Sequence, residues 1–215
     1  MQNRALLITG VSGFIGKALA DRLTIQNVPF YGVSRKINGN HNHKVITDFL
    51  SFQCWTELFY GVHTVVHLAG KAHGFNKYQK NLPYEFIKAN TLTTILFARN
   101  AAAAGVKRFI FVSSIGVSGF QTPEYRPFSE NDVPLPHNDY ASSKWEAEQG
   151  LLTIARETGI EVVIIRPPLV YGPNPPGNFG SLVRAVRCGW PLPLGAVLNQ
   201  RSLVALDNLV DFIIT

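Results

Sequence analysis

Tyr140 and Lys144 stand four residues apart in the run YASSK, and a helix through this run would carry both side chains on one face. A phenol titrates near pH ~10, so it exchanges protons poorly at neutral pH unless a nearby cation stabilises the phenolate. The Lys144 ammonium is such a cation, and the pair could then give and take a proton at a substrate oxygen. Upstream, the apolar run FIFV leads directly into Ser113 and Ser114. Hydroxyls there could bond a substrate oxygen, or could merely close a strand through bonds to their own backbone. Tyr and Lys at this spacing also occur on ordinary amphipathic helices, so their surroundings decide their weight.

The first of those surroundings is TGVSGFIGKALADRL, which follows the first apolar run and spaces Gly10, Gly13 and Gly16 three residues apart. Glycine permits a tight strand-to-helix turn and lets backbone N–H groups approach a pyrophosphate at the positive end of a helix. A turn that only packs helix on strand would look similar, but strand, loop and helix in this order predict a dinucleotide site, with Phe14 and Ile15 packed under the turn. About 20 residues further on, NAD sites carry an acid for the ribose hydroxyls, whereas NADP sites carry a base for the 2′-phosphate. Ser34 and Arg35 occupy that place, with Lys36 beside them. The expected cofactor is NAD or NADP, and Arg35 inclines the choice to NADP.

Short apolar runs recur at 5–9, 29–33, 64–67, 108–112 and 162–165, with helical patterns between them. This alternation predicts an α/β fold with a doubly wound parallel sheet, the Rossmann arrangement, whose ligands gather at the carboxyl ends of the strands. One helix is expected over 84–104 with Gly105 as its stop, and another from Asn138 or Asp139 to Gly159. After Val170 the stretch YGPNPPGN breaks regular structure and leads to a helix around 179–188 and the turn-rich GWPLPLGA. A dinucleotide-binding domain is therefore expected over 1–170, and the start of a smaller substrate-binding region over 171–215. The closing run DNLVDFIIT has no cap or polar tail, as in a chain cut short.

Taken in order, TGVSGFIG, HLAG, FVSS, YASSK and RPPLVYGP resemble the extended branch of the short-chain dehydrogenase/reductase superfamily, within it the sugar-nucleotide epimerase, dehydratase and reductase group. The resemblance covers essentially the whole chain. It implies that Ser114, Tyr140 and Lys144 form the catalytic set, with Tyr140 and Lys144 also at the cofactor. It further implies that Asp48 and Phe49 flank the adenine, that Leu68, Ala69 and Gly70 line the dinucleotide, and that Asn90 and Pro167 are cofactor-side positions. Asn178 in GNF and Arg201 in RSLVALDNLV resemble the residues that hold the nucleotide diphosphate, with Ser114 on the substrate side. The partner implied is a nucleotide-sugar substrate, and a homodimer is open.

Sugar-nucleotide 4,6-dehydratases of this group carry an Asp-Glu pair directly after the catalytic hydroxyl residue, where this chain has Ile115 and Gly116. Elimination of water then lacks its proton carriers. The 3,5-epimerase/reductases use a Cys near the Ser, and this segment has none. What remains is redox chemistry at one carbinol, C4 of the sugar, by a 4-ketoreductase or a UDP-sugar 4-epimerase. Arg35 and the run from GNF to RSLVALDNLV look closer to the surface-polysaccharide 4-reductases. A chain of the same fold that senses or scaffolds dinucleotide without turnover is the alternative.

The net charge of +6 is spread along the chain without a basic cluster, which argues against nucleic acid as a partner. Cys54 and Cys188 lie far apart and outside C-x-x-C spacing, in keeping with a reducing cytoplasm. No secretory signal and no apolar run near the ~18 residues of a membrane span are read. His63, His67 and His73 lack a carboxylate or Cys partner, so no metal is expected. His41 and His43 fall in NGNHNH, which reads as a loop, and Trp55, Trp145 and Trp190 read as core or interface aromatics.

Overall fold

A strand covered by helices on both faces must be apolar at every position, because successive side chains point to opposite sides. The central strands meet that demand. The computed structural model describes residues 5–35, 43–72, 82–122, 126–192, 195 and 200–215. Lys36, His41, His73 and part of GWPLPLGA lie outside the described residues. The chain runs β1 (Ala5–Thr9), α1 (Phe14–Ile25), β2 (Phe30–Ser34), β3 (His43–Val45), α2 (Trp55–Leu58), β4 (Val62–His67) and α3 (Leu82–Phe86). It continues through a π-helical turn (Ile87–Leu92), α4 (Thr93–Ala103), β5 (Arg108–Val112), a short 3-10 turn (Ile115–Val117), α5 (Asp139–Thr158) and β6 (Glu161–Ile165). Last come β7 (Leu169–Tyr171), α6 (Gly177–Arg187), β8 (Leu203–Ala205) and α7 (Leu206–Ile214).

Strands β1 to β6 form one parallel sheet in the order β3-β2-β1-β4-β5-β6, so the expected doubly wound Rossmann topology is found. Its order reverses between β1 and β4, and the crevice at their carboxyl ends is where such sheets take ligands. Leu7, Val65, Phe109 and Phe111 point into a layer with Phe97, Ala147, Leu151 and Ile154 of α4 and α5. Their neighbours Ile8, Val66, Ile110 and Val112 point the other way, onto Leu19 and Leu23 of α1 and Leu209, Val210 and Ile213 of α7. Each such buried Leu or Phe contributes about 1.5–3 kcal/mol, so the two layers fix the register on which the site depends.

Several local features differ from the sequence expectation. His43 is in a strand rather than a loop: β3 pairs parallel with β2, and three residues are too few to show an alternation. The helix expected over 84–104 is interrupted by the π turn, where the Thr93 hydroxyl donates to Lys88 O at 2.9 Å, five residues back. From Leu169 onward, β7 and β8 pair in a separate parallel ribbon, while α7 returns to pack on α1. Trp190 is exposed, whereas Trp55 packs edge-on to Phe97 in the core, ring centroids 5.6 Å apart.

Candidate active site

The phosphate loop is shaped by atoms that leave no room for side chains. Gly10 adopts φ +69° at the end of β1, and a Cβ there would fall 2.8 Å from Ala69 N. A Cβ on Gly16 would fall 2.2 Å from Gly10 O, so α1 and the loop touch backbone to backbone. The Gly13 amide donates to Gly10 O at 2.9 Å. Gly13 caps α1 without a side chain, leaving the first turn's N–H groups for an anion. Phe14 and Ile15 are partly buried and pack against the layer formed by α1 and α7.

Beside the loop lies a cleft of about 330 Å³ whose walls include Gly10, Gly13, Ser34, Arg35, Asp48, Phe49, Leu68, Ala69 and Gly70. These sequence-expected positions come together from β1, β2, β4 and the segment after β3. Ser34 is buried with its hydroxyl 2.7 Å from His43 Nε2, so β3 holds it, while Arg35 is exposed at the rim. Asp48 accepts from the Leu50 amide at 2.9 Å, and Phe49 sits edge-on to Phe97. The opposite wall is held from below by Thr9, whose hydroxyl accepts from Ala69 N at 3.2 Å and lies 2.9 Å from His67 Nδ1. His67 reaches Thr94 on its other side at 3.1 Å, and burial, followed by the charge of Lys144, lowers its pKa to about 3. It is a neutral strut between β1, β4 and α4. A loop that a Cβ at Gly10 or Gly16 would obstruct, an uncapped helix start and a cleft at the switch point fit a dinucleotide.

Asn90, expected on the cofactor side, is fully buried on the π turn. Its Oδ1 accepts from Lys71 N at 2.8 Å, and its Nδ2 donates to Lys71 O and to Ser143 Oγ at 3.1 and 3.0 Å. A Cβ on Gly70 would fall 3.1 Å from that Oδ1, so Asn90 shapes the wall from behind. Pro167 acts through its carbonyl, which accepts from the Ile115 amide at 3.0 Å and anchors the segment after Ser114.

The reactive groups come from two elements. Ser114 follows β5, half-buried, its hydroxyl accepting from Gly116 N at 3.2 Å. Tyr140 and Lys144 stand on the first turns of α5, whose N-terminus Asn138 caps by accepting from Ala141 N at 2.8 Å and whose C-terminus Gly159 closes at φ +74°. Tyr140 packs edge-on to Phe86. Lys144 is 4 % exposed, with Nζ 4.0 Å over the Phe111 ring. A Cβ on Gly70 would lie 3.8 Å from this Nζ, so Lys144 stands at the inner end of the cleft wall. Burial lowers its pKa to about 7 against the pull of Glu148. The expectation that Lys144 brings the Tyr140 pKa down is corrected: burial raises Tyr140, because desolvation penalises the phenolate.

Two contributors were not singled out in the sequence. Glu148 extends the same face as Y-x-x-x-K-x-x-x-E, a periodicity open to inspection. His137 donates from Nδ1 to Gly116 O at 3.3 Å and accepts at Nε2 from Asn138 at 2.8 Å, linking the Ser114 segment to the cap of α5. Its ring carbon lies 3.2 Å from where a Gly116 Cβ would be, a fit that no spacing reveals. Arg201 is exposed just before β8 and is not among the residues lining the 330 Å³ cleft, and Asn178 falls in the first turn of α6.

A glycine-walled cleft that fits a dinucleotide, with Lys144 against its Gly70 wall and with Ser114 and Tyr140 outside the residues that line it, is in keeping with the extended short-chain dehydrogenase/reductase kind. The chain belongs to the NAD dependent epimerase/dehydratase family, whose model matches residues 6–215. It is 38% identical to the UDP-glucose 4-epimerase of Vibrio cholerae over 216 residues, covering 99% of this chain and 66% of that protein. It is 29% identical to the GDP-6-deoxy-D-mannose reductase of Pseudomonas aeruginosa, covering 97% of this chain and 66% of the reductase. The chain thus spans just under two thirds of these relatives' length. Among solved structures, MoeE5 in complex with UDP-glucuronic acid and NAD superposes with a TM-score of 0.83 at 26% identity, covering 98% of this chain and 71% of that one. No helix among the described residues is long and apolar enough to cross a membrane.

Proposed function

We propose that the protein acts at C4 of a nucleotide-linked sugar, as a 4-epimerase that holds NAD through the catalytic cycle. The observation that carries this reading is the pairing of Tyr140 and Lys144 on one face of α5 with Ser114 at the end of β5, beside a dinucleotide-shaped cleft and without a carboxylate at 115 or 116. The likeness to a UDP-glucose 4-epimerase and to a protein solved with NAD and a UDP-sugar supports the same choice.

When bound, NAD supplies an acceptor and donor of hydride. Gly10, Gly13 and Gly16 would hold its pyrophosphate, Asp48 and Phe49 would flank its adenine, and Lys144 would bond the nicotinamide-side ribose. Tyr140 Oη takes the proton from the C4 hydroxyl as that carbon is oxidised, and returns it when the carbon is reduced on its other face. The Lys144 ammonium stabilises the phenolate that must be present to take this proton and that is restored when the proton is returned, opposing the burial that raises Tyr140. Ser114 donates to the C4 oxygen, which requires its hydroxyl hydrogen to point away from Gly116 N, as the bond it accepts there leaves it free to do. Asn178 and Arg201 would hold the nucleotide diphosphate, and the free, exposed Cys54 and Cys188 suit a reducing cytoplasm.

Arg35 at the cleft rim favours a second reading, a 4-ketoreductase that consumes NADPH. One experiment separates the two. An epimerase purifies with NAD and interconverts UDP-glucose and UDP-galactose without added cofactor; a reductase purifies empty and oxidises NADPH only with a nucleotide-4-keto sugar. Bound NAD(P)H with no turnover across a nucleotide-sugar panel would instead favour the sensing or scaffolding role.

A further inference from the structure

Beneath the reactive pair lies a carboxylate that the mechanism above leaves unused. Glu148 is 0 % exposed, one turn past Lys144 on α5. It accepts from Ser113 Oγ, and from Arg166 Nε and Nη2 at 3.1 and 2.6 Å. Arg166 follows β6, lies 5.8 Å over the Trp145 ring and reaches Ser118 Oγ at 3.4 Å. One carboxylate therefore ties α5 to the residue adjoining Ser114 and to the segment after β6. Buried ion pairs are often no more stabilising than apolar residues of the same volume, so stability alone is a weak reason for one here.

We propose that Glu148 is a positioning residue for the reactive set: its buried charge, one turn from Lys144 on α5, favours the ammonium form of that amine, and its bond to Ser113 fixes the strand of Ser114 against the helix of Tyr140. The chemical consequence rests on the function proposed above; the geometry does not. Lys144 sits over an aromatic ring with its hydration removed. Among the titratable and charged groups around it, Tyr140 is one turn earlier on α5, and His67 of β4 is held neutral by burial. Lys71 and Lys88 on the cleft wall and Arg166 after β6 are cations; Glu85 lines the same cleft and Glu146 stands on α5, but among the described residues Glu148 is the carboxylate buried with Lys144. Its pull on Lys144 opposes the burial that lowers that amine. Replacing the carboxylate by an amide would leave Lys144 neutral at neutral pH, and a neutral amine stabilises phenolate far less.

The test is Glu148→Gln, read by the titration of Lys144 in ¹³C-lysine NMR, assigned with Lys144→Met, and by steady-state kinetics. The Lys144 midpoint is expected to fall by about one unit, a tenfold loss of proton affinity. At neutral pH kcat is expected to fall about tenfold with KM within about twofold, as for a group that acts on the transition state. Because the amide strips Arg166 of its counter-charge, the double variant E148Q/R166M removes both charges and protects the fold. A smaller downward shift is expected in it, because losing the Arg166 cation raises the amine while losing the Glu148 carboxylate lowers it. A Lys144 midpoint within about 0.3 unit of the parent in Glu148→Gln, checked as folded by circular dichroism, or a parental kcat, overturns the electrostatic role. Ser113→Ala keeps the charge, so kcat should drop several-fold while the Lys144 midpoint stays; unchanged kcat overturns the tie to Ser114. If the parent turns over no nucleotide sugar, the proposed function fails, and the NMR midpoint still decides the role of Glu148.

Discussion

At the phosphate end of the cleft the working groups are backbone, whereas at the reactive end they are side chains that burial has taken out of water. Gly10, Gly13 and Gly16 serve by having no Cβ, and their geometry is fixed by contacts of β1 with α1 and Ala69. Lys144, Asn90, His67 and Glu148 are all buried, and each polar group needs a partner from another element. A backbone site tolerates no added atom. A side-chain site tolerates no missing one.

The largest effect belongs to the atom that moves the proton. Tyr140→Phe is expected to lower kcat about 10³-fold, within the range of general acid–base groups, while dinucleotide binding measured by fluorescence stays parental. Turnover above about a tenth of the parent would break the contrast, since the reactive end would then work without its phenol.

At the other end, Gly16→Ala pushes a methyl against Gly10 O, and overpacking costs about 1–3 kcal/mol. Borne by the loop, this is a loss of NAD affinity of about five- to 150-fold by calorimetry. Gly105→Ala sharpens the point. Gly105 also has positive φ, +85°, but nothing lies within 4 Å of its Cβ position. It should lose about 1 kcal/mol of stability and no affinity. Equal losses of affinity in the two variants would show that the loop acts by general stiffness and not by close approach.

This contrast also explains what was legible in the sequence. Glycine spacing is local, so the loop, its strand and its helix are readable from TGVSGFIG alone. The helix of Tyr140 and Lys144 is equally local, with Asn138 as cap and Gly159 as stop. The partners of the reactive end come from far along the chain. Asn90 meets Ser143 across 53 residues and Ser113 meets Glu148 across 35, and no window of sequence contains both. The π turn escapes for another reason: its apolar spacing is that of an ordinary helix, and only the bonds of Asn90 and Thr93 mark it. Strand β3 is hidden because an edge strand of three residues is set by its neighbour β2. The sign of the Tyr140 shift depends on burial, which spacing does not convey.

His67 turns the comparison into a pH dependence. Its folded pKa of about 3 lies below the unfolded 6.5, so the unfolded chain binds the extra proton and stability falls as pH drops from about 6.5 toward 3. Lys144 acts in the same direction in a separate window, between about 7 and 10.5, where stability rises with pH. Between pH 7 and 5 the His67 contribution is about 2 kcal/mol, measurable by urea unfolding. His67→Gln should remove most of that slope, whatever it does to stability at pH 7. A slope unchanged by the substitution would mean that His67 does not stay neutral, and that another group carries the acid sensitivity.

The smallest effect is at the rim, where Arg35 is exposed and its charge is screened. If it receives a 2′-phosphate, Arg35→Ala should weaken NADPH binding by about three- to tenfold, leave NADH within about twofold, and lose the difference at high salt. Equal affinity for the two cofactors before and after substitution would make Arg35 a solvated end of β2. The reductase reading would then lose the side chain that favours NADPH. Ser34 makes the outcome informative in either case: its hydroxyl already faces His43, so among the described residues lining this corner Arg35 is the one with positive charge to offer a phosphate.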